Sequence, residues 1–203
     1  MSTWRAPIAF LACLMLAPVW SQELGRDYTQ LTVAQPPTTP GKIEVLEFFS
    51  WGCSHCAQMH PLIEQWERDL PDNAVLVKVP ISLGHRAWGQ LVRAYYALDS
   101  LGELQRLEGA VFEALHRDRQ PLFNEDHIVA WAASQGVDEA RFREAFRSPE
   151  VSARALRAEE LARGYRVNQT PQIVVQGRYV VLGRTHAESL TIARQLIDKV
   201  AAE

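Results

Sequence analysis

Apolar residues run almost without a break from Ile43 to Ser50 and again from Ala74 to Val79. Runs this short and this rich in β-branched and aromatic residues predict strands covered on both faces. Between them the period changes. Met59, Leu62, Ile63 and Trp66 recur at helical spacing, which predicts a helix from Cys53 to about Leu70. A strand–helix–strand succession of this length is a βαβ unit with parallel strands and a right-handed crossover. Pro61 falls inside the helix and removes one i→i−4 hydrogen bond, so a bend is expected there.

From His85 to about Gly164 the pattern is helical throughout. Trp88, Leu91, Val92 and Tyr95 form one apolar stripe, and Leu104, Leu107, Val111 and Leu115 another. Shorter helices are expected over 126–134 and 138–146, with Gly136 as a C′ residue and Asp138 as an N-cap, and a further one from Pro149 to Arg163. Alternation then returns. Residues 172–175 and 179–182 flank Gln176-Gly177-Arg178, a glycine-containing hairpin loop. A last amphipathic helix carries Leu190, Ala193, Leu196, Ile197 and Val200. Gln22 to Gly41, punctuated by Pro36, Pro37 and Pro40, reads as an extended lead-in. The expected plan is βαβ (22–83), an all-helical insertion (84–164), then ββα (165–203).

The first residues stand apart. Arg5 precedes an apolar stretch from Ala6 to Trp20, and Val19 and Ser21 suit a signal-peptidase site, so 1–21 reads as a cleaved secretory signal peptide. The alternative is a segment that stays attached as an anchor. Cys13 lies in that stretch, where Phe10-Leu11-Ala12 makes a poor lipobox, leaving Cys53 and Cys56 as the only cysteines of the exported chain. The 203 residues, 47% hydrophobic and 22% charged, suit an ordinary soluble globular protein, and a formal net charge of -3 gives no support for nucleic-acid binding.

Cys53-Ser54-His55-Cys56 opens the first helix directly after the first strand. Unpaired N–H groups and the macrodipole favour an anion at a helix N-terminus, and the thiolate is the reactive form of cysteine. One close pair in an exported protein points to exchange of disulfides; a static disulfide is the alternative, but a span this short closes almost no loop.

The string from Glu47 through Cys56, with Pro61 and then Thr170-Pro171 before a strand, resembles the DsbA family of exported thiol–disulfide oxidoreductases. The resemblance runs from about Pro40 to Val200. It implies an α/β, thioredoxin-like fold with a helical insertion, and a periplasmic protein that donates its disulfide to newly exported proteins. Cys53 would attack and Cys56, one turn deeper, would resolve. His55 would set a positive charge and a ring N–H beside the Cys53 thiolate, unless it is simply a solvated histidine. Ser54 stands where the family usually has proline. Pro171 would be cis and face the disulfide, leaving Thr170 to pair with an extended client segment. Unfolded exported proteins with cysteine thiols and a quinone-linked inner-membrane oxidase are the implied partners, a monomer is the expected state, and no cofactor is needed because the dithiol is the redox centre.

Three further residues are candidates. Glu47 is an acid within an apolar strand; either it handles protons for Cys56, with Lys78 on the adjacent strand as partner, or it reaches solvent at a strand edge. Trp51 either contacts clients or packs in the core. The remaining histidines, His60, His85, His116, His127 and His186, show no ligand spacing and read as surface or capping residues. A reductase or isomerase of the same fold is the alternative function, though no segment supplies a dimerisation domain. A copper or zinc module would use Cys53, Cys56 and His55 or His60, and lacks a fourth ligand.

Overall fold

The run Ile43–Phe49 forms the strand around which the rest is arranged, with every side chain buried. The computed structural model describes residues 22–203; the expected signal peptide and Cys13 lie outside them. In chain order the strands are β1 (Tyr28–Gln30), β2 (Ile43–Phe49), β3 (Ala74–Pro80), β4 (Gln172–Val175) and β5 (Tyr179–Val181). The helices are α1 (Ser54–Arg68), α2 (Arg86–Ser100), α3 (Leu104–His116), α4 (Glu125–Ser134), α5 (Glu139–Arg147), α6 (Pro149–Gly164) and α7 (His186–Ala201).

One mixed sheet has the order β1-β5-β4-β2-β3. β2 and β3 are parallel, in register from Ile43 opposite Ala74 to Phe49 opposite Pro80, as a βαβ crossover requires. β4 joins β2 antiparallel and turns into β5. Alternate residues of β2 serve different cores, because successive side chains point to opposite faces. Val45 packs with Met59 and Ile63 of α1 and Leu196 and Ile197 of α7. Leu46 and Phe48 pack with Ala158, Ala162 and Tyr165 at the end of α6.

Helices α2 to α6 interrupt the chain between β3 and β4. Leu91, Leu98, Val111, Trp131, Phe142 and Phe146 build their core, and Phe49, Trp51, Cys53 and Cys56 belong to the same cluster. The cysteine segment therefore lies at the seam between sheet and inserted helices. Asp138 caps α5 by accepting a hydrogen bond from the Arg141 N–H at 2.8 Å, and Gly136 takes φ 86°, the left-handed conformation that suits glycine. α1 continues through Pro61 to Arg68 as one helix. The lead-in is more ordered than expected. Tyr28–Gln30 adds an edge strand to β5, a pairing too short and too dependent on a distant partner to show in local pattern.

Candidate active site

Cys53 is the N-cap of α1, with extended backbone (φ -91°, ψ 122°), and its carbonyl accepts the Ala57 N–H at 3.1 Å. The turn before it is held by the Cys53 N–H to the Ser50 carbonyl at 3.1 Å and the Gly52 N–H to the Ser50 hydroxyl at 3.2 Å. Gly52 is required here: a Cβ on it would fall inside the Trp88 indole, which leans on His85 with ring centroids 4.6 Å apart. Gly52→Ala must displace that indole, and a loss of about 1–3 kcal/mol in denaturant unfolding is expected. His116 of α3 fixes the other side, its Nε2 lying 2.7 Å from the Trp51 carbonyl oxygen.

Neither cysteine is bonded to the other, so the structure presents the dithiol. Cys53 keeps 9% of its surface and Cys56 only 1%. The environments drive the two thiols apart. The Cys53 sulfur accepts hydrogen bonds, foremost from the Cys56 thiol and then from the Thr170 side chain and the Cys56 and His55 backbone N–H groups; these outweigh burial and hold it at about 5. Cys56 is pushed far above the ordinary thiol value, first by burial and then by the hydrogen bond and charge of Cys53, with Glu47 adding to the effect. At neutral pH Cys53 is a thiolate and Cys56 a thiol.

Thr170 and Pro171 stand beside this pair. Their peptide bond is cis, and the Thr170 carbonyl oxygen is 3.4 Å from Cys53 Sγ. The chain thus brings residues 117 positions apart into one site.

Glu47 points from β2 toward α1 and is 3% exposed, not at a strand edge. Burial pushes its carboxyl up to about 8, with Lys78 opposing and Glu108 and Glu67 reinforcing the rise. Lys78 is its register neighbour on β3, but the ion pair of Lys78 is made elsewhere: Nζ is 2.7 Å from Oε2 of Glu108 on α3. Lys78 thus stands beside Glu47 on the neighbouring strand while its ion pair is with Glu108. Sequence reading missed Glu108, although the signal was present, since it sits four residues from both Leu104 and Phe112 on an apolar face.

Other expectations change as well. Trp51 offers no exposed ring to a client: at 2% exposure it packs against Tyr95, with centroids 5.4 Å apart, because the core of the inserted helices reaches up to the cysteine loop. Trp88, partly exposed on Gly52, is the aromatic that borders the site. His55 is exposed, and its ring faces His186 at the start of α7 at 6.1 Å; its backbone N–H, not its ring, serves Cys53. His60 is buried and its Nε2 is 3.5 Å from Oε1 of Glu64, so it is neither a surface nor a capping residue. Among the described residues, the grouping with ligand-like spacing is His60, Glu64 and Glu108, which includes neither cysteine. The cysteine-centred metal module thus gains no further ligand.

Residues 44–193 match the model of the DSBA-like thioredoxin domain. The thiol:disulfide interchange protein DsbA of Bordetella parapertussis is 38% identical over 196 residues, covering 95% of this chain and 93% of that protein. The DsbA of Pseudomonas syringae pv. tomato is 35% identical over 183 residues, covering 89% and 85%. The crystal structure of the oxidoreductase DsbA from Xylella fastidiosa superposes with a TM-score of 0.84 at 33% identity, covering 90% of this chain and 99% of that one. That of Pseudomonas aeruginosa DsbA gives 0.83 at 32% identity, covering 88% and 94%. The α/β, thioredoxin-like fold and the thiol:disulfide oxidoreductase class follow, and with them protein substrates and a redox partner. Among the described residues no helix is long and apolar enough to cross a membrane. From Glu44 to Ala193, through the cysteine pair, the inserted helices and the hairpin, this chain belongs to the DsbA family of thioredoxin-like thiol:disulfide interchange proteins.

Proposed function

We propose that the protein is a periplasmic dithiol oxidase, exported by its N-terminal segment, which donates the Cys53–Cys56 disulfide to newly exported polypeptides. The reading rests on where the two sulfurs stand: Cys53 at the helix N-cap, held at about 5 by the hydrogen bonds around it, above a buried Cys56 that is pushed far upward. Stabilising a thiolate stabilises the dithiol form, and a disulfide whose reduced form is stabilised is an oxidant, as DsbA proteins themselves illustrate.

A client thiolate attacks Cys53 Sγ, the S–S bond breaks, and Cys56 leaves as a thiolate. That anion is buried and must take a proton, which Glu47, with Lys78 beside it, is placed to supply. The client's second thiolate then attacks the client sulfur of the mixed disulfide and releases Cys53 as the stable thiolate. Thr170, with its carbonyl 3.4 Å from Cys53 Sγ, lies where an extended client segment would run, and Pro171 shapes that wall. His55 presents its imidazole to solvent beside the sulfur. Re-oxidation of the dithiol falls to a quinone-linked membrane partner, and the protein works as a monomer.

Two measurements test this. The alkylation rate of the reduced protein, followed against pH, should reach half its plateau near pH 5; an ordinary midpoint near ~8.5 would remove the basis for an oxidant. Equilibration with glutathione should leave the pair largely dithiol at ratios of oxidised to reduced glutathione that keep structural disulfides closed. A pair that stays oxidised there is a reductant.

A further inference from the structure

Glu47 is surrounded by groups from four elements. Lys78 lies opposite on β3, Glu108 reaches in from α3, Glu67 and Cys56 stand on α1, and the Tyr95 phenol is on α2. Lys78 is the one cation in this set, and whichever carboxylate holds it decides where the negative charge resides. Glu108 holds it, at 2.7 Å, with both side chains nearly enclosed. Glu47 has the same lysine as its register neighbour and makes no hydrogen bond to it.

We infer that Glu108, supplied by the inserted helices, is a positioning residue for disulfide exchange: by holding the Lys78 ammonium it leaves Glu47 a neutral carboxyl able to give its proton to departing Cys56. The inference rests on the proposed role of Glu47 in proton transfer. An ammonium paired directly with a carboxyl favours its ionised form, and a second carboxylate nearby disfavours it. Glu108 acts in both ways at once, since it withdraws the cation and adds a like charge. An ionised Glu47 could not donate, and the buried Cys56 thiolate would leave without a proton. The balance is simple: the S–S bond breaks with its electron pair on Cys56, one proton passes from the Glu47 carboxyl to that sulfur, and solvent later returns it. Glu67 and Glu64, the latter 3.5 Å from His60, are the exposed acids where the cluster meets water.

The test is the titration midpoint of the Glu47 carboxyl in the oxidised protein, followed by carbon NMR and assigned with Glu47→Gln. Glu108→Gln should lower the midpoint by about one to three pH units, and the pH profile of client oxidation should move with it. Glu108→Asp should restore most of both. Lys78→Met, in which neither acid has the cation, should raise the midpoint above that of the natural protein. An unmoved midpoint in a folded Glu108→Gln protein overturns the inference. Should that variant fail to fold, an unmoved or lowered midpoint in Lys78→Met overturns it equally. If the midpoint shifts as expected but Glu47→Gln leaves the pH profile of client oxidation unaltered, the proton-donor role of Glu47 itself is refuted, and Glu108 has no part in exchange.

Discussion

Cys53→Ala is expected to reduce oxidation of unfolded, reduced polypeptide to the uncatalysed background, whereas Cys56→Ala is expected to accumulate mixed disulfides with polypeptides whose cysteines are presented as disulfides or activated mixed disulfides. The two sulfurs differ in access and in charge. Cys53 holds the exposed surface and is a thiolate at neutral pH; Cys56 is sealed beneath it and protonated. Attack on the disulfide is therefore expected at Cys53, so that removal of its sulfur should remove every covalent step. Without Cys56, an adduct formed through Cys53, on a client presented as a disulfide or activated thiol, cannot be released by internal attack. Intact-mass spectra and non-reducing gels read both outcomes. Adducts on Cys53→Ala with none on Cys56→Ala would reverse the order of attack.

Glu47→Gln is expected to match the stability of the natural protein near pH 4 and exceed it increasingly up to pH 8. Burial holds the native carboxyl at about 8 against 4.5 for a free glutamate. Between those values the folded protein binds a proton that the unfolded chain has released. Stability from this group is thus complete below the unfolded value and falls as pH rises toward the folded one. Fully developed, the loss amounts to about 5 kcal/mol. A glutamine keeps the shape and does not titrate, so the slope disappears. Urea unfolding at pH 4, 6 and 8, both proteins in the same redox form, measures it; parallel curves would mean that Glu47 is ionised in the fold.

Both results concern residues whose roles were unequally legible in the chain. The Cys53–Cys56 pair could be placed at a helix start because the change from apolar run to helical period falls at that point, and the N-cap position follows from local geometry alone. Thr170-Pro171 was legible only through the family pattern; a dipeptide before a strand says nothing about a sulfur 117 residues away. Trp51 and Glu47 were ambiguous because an aromatic just past a strand, or an acid within one, has no burial of its own. Neighbours decide it, and here those neighbours are Tyr95 and the Lys78–Glu108 pair.

By itself, then, the sequence determined the order of strands and helices, the parallel βαβ unit, the caps and the reactive pair, since each depends on periodicities and hydrogen bonds within a few residues. Only the tertiary structure decided which carboxylate holds Lys78, that the inserted helices close over the cysteine loop through Trp88 and His116, and that Tyr28–Gln30 joins the sheet. Those contacts join segments far apart in the chain. Electrostatics and packing act through space, and no local pattern records which distant side chain will arrive.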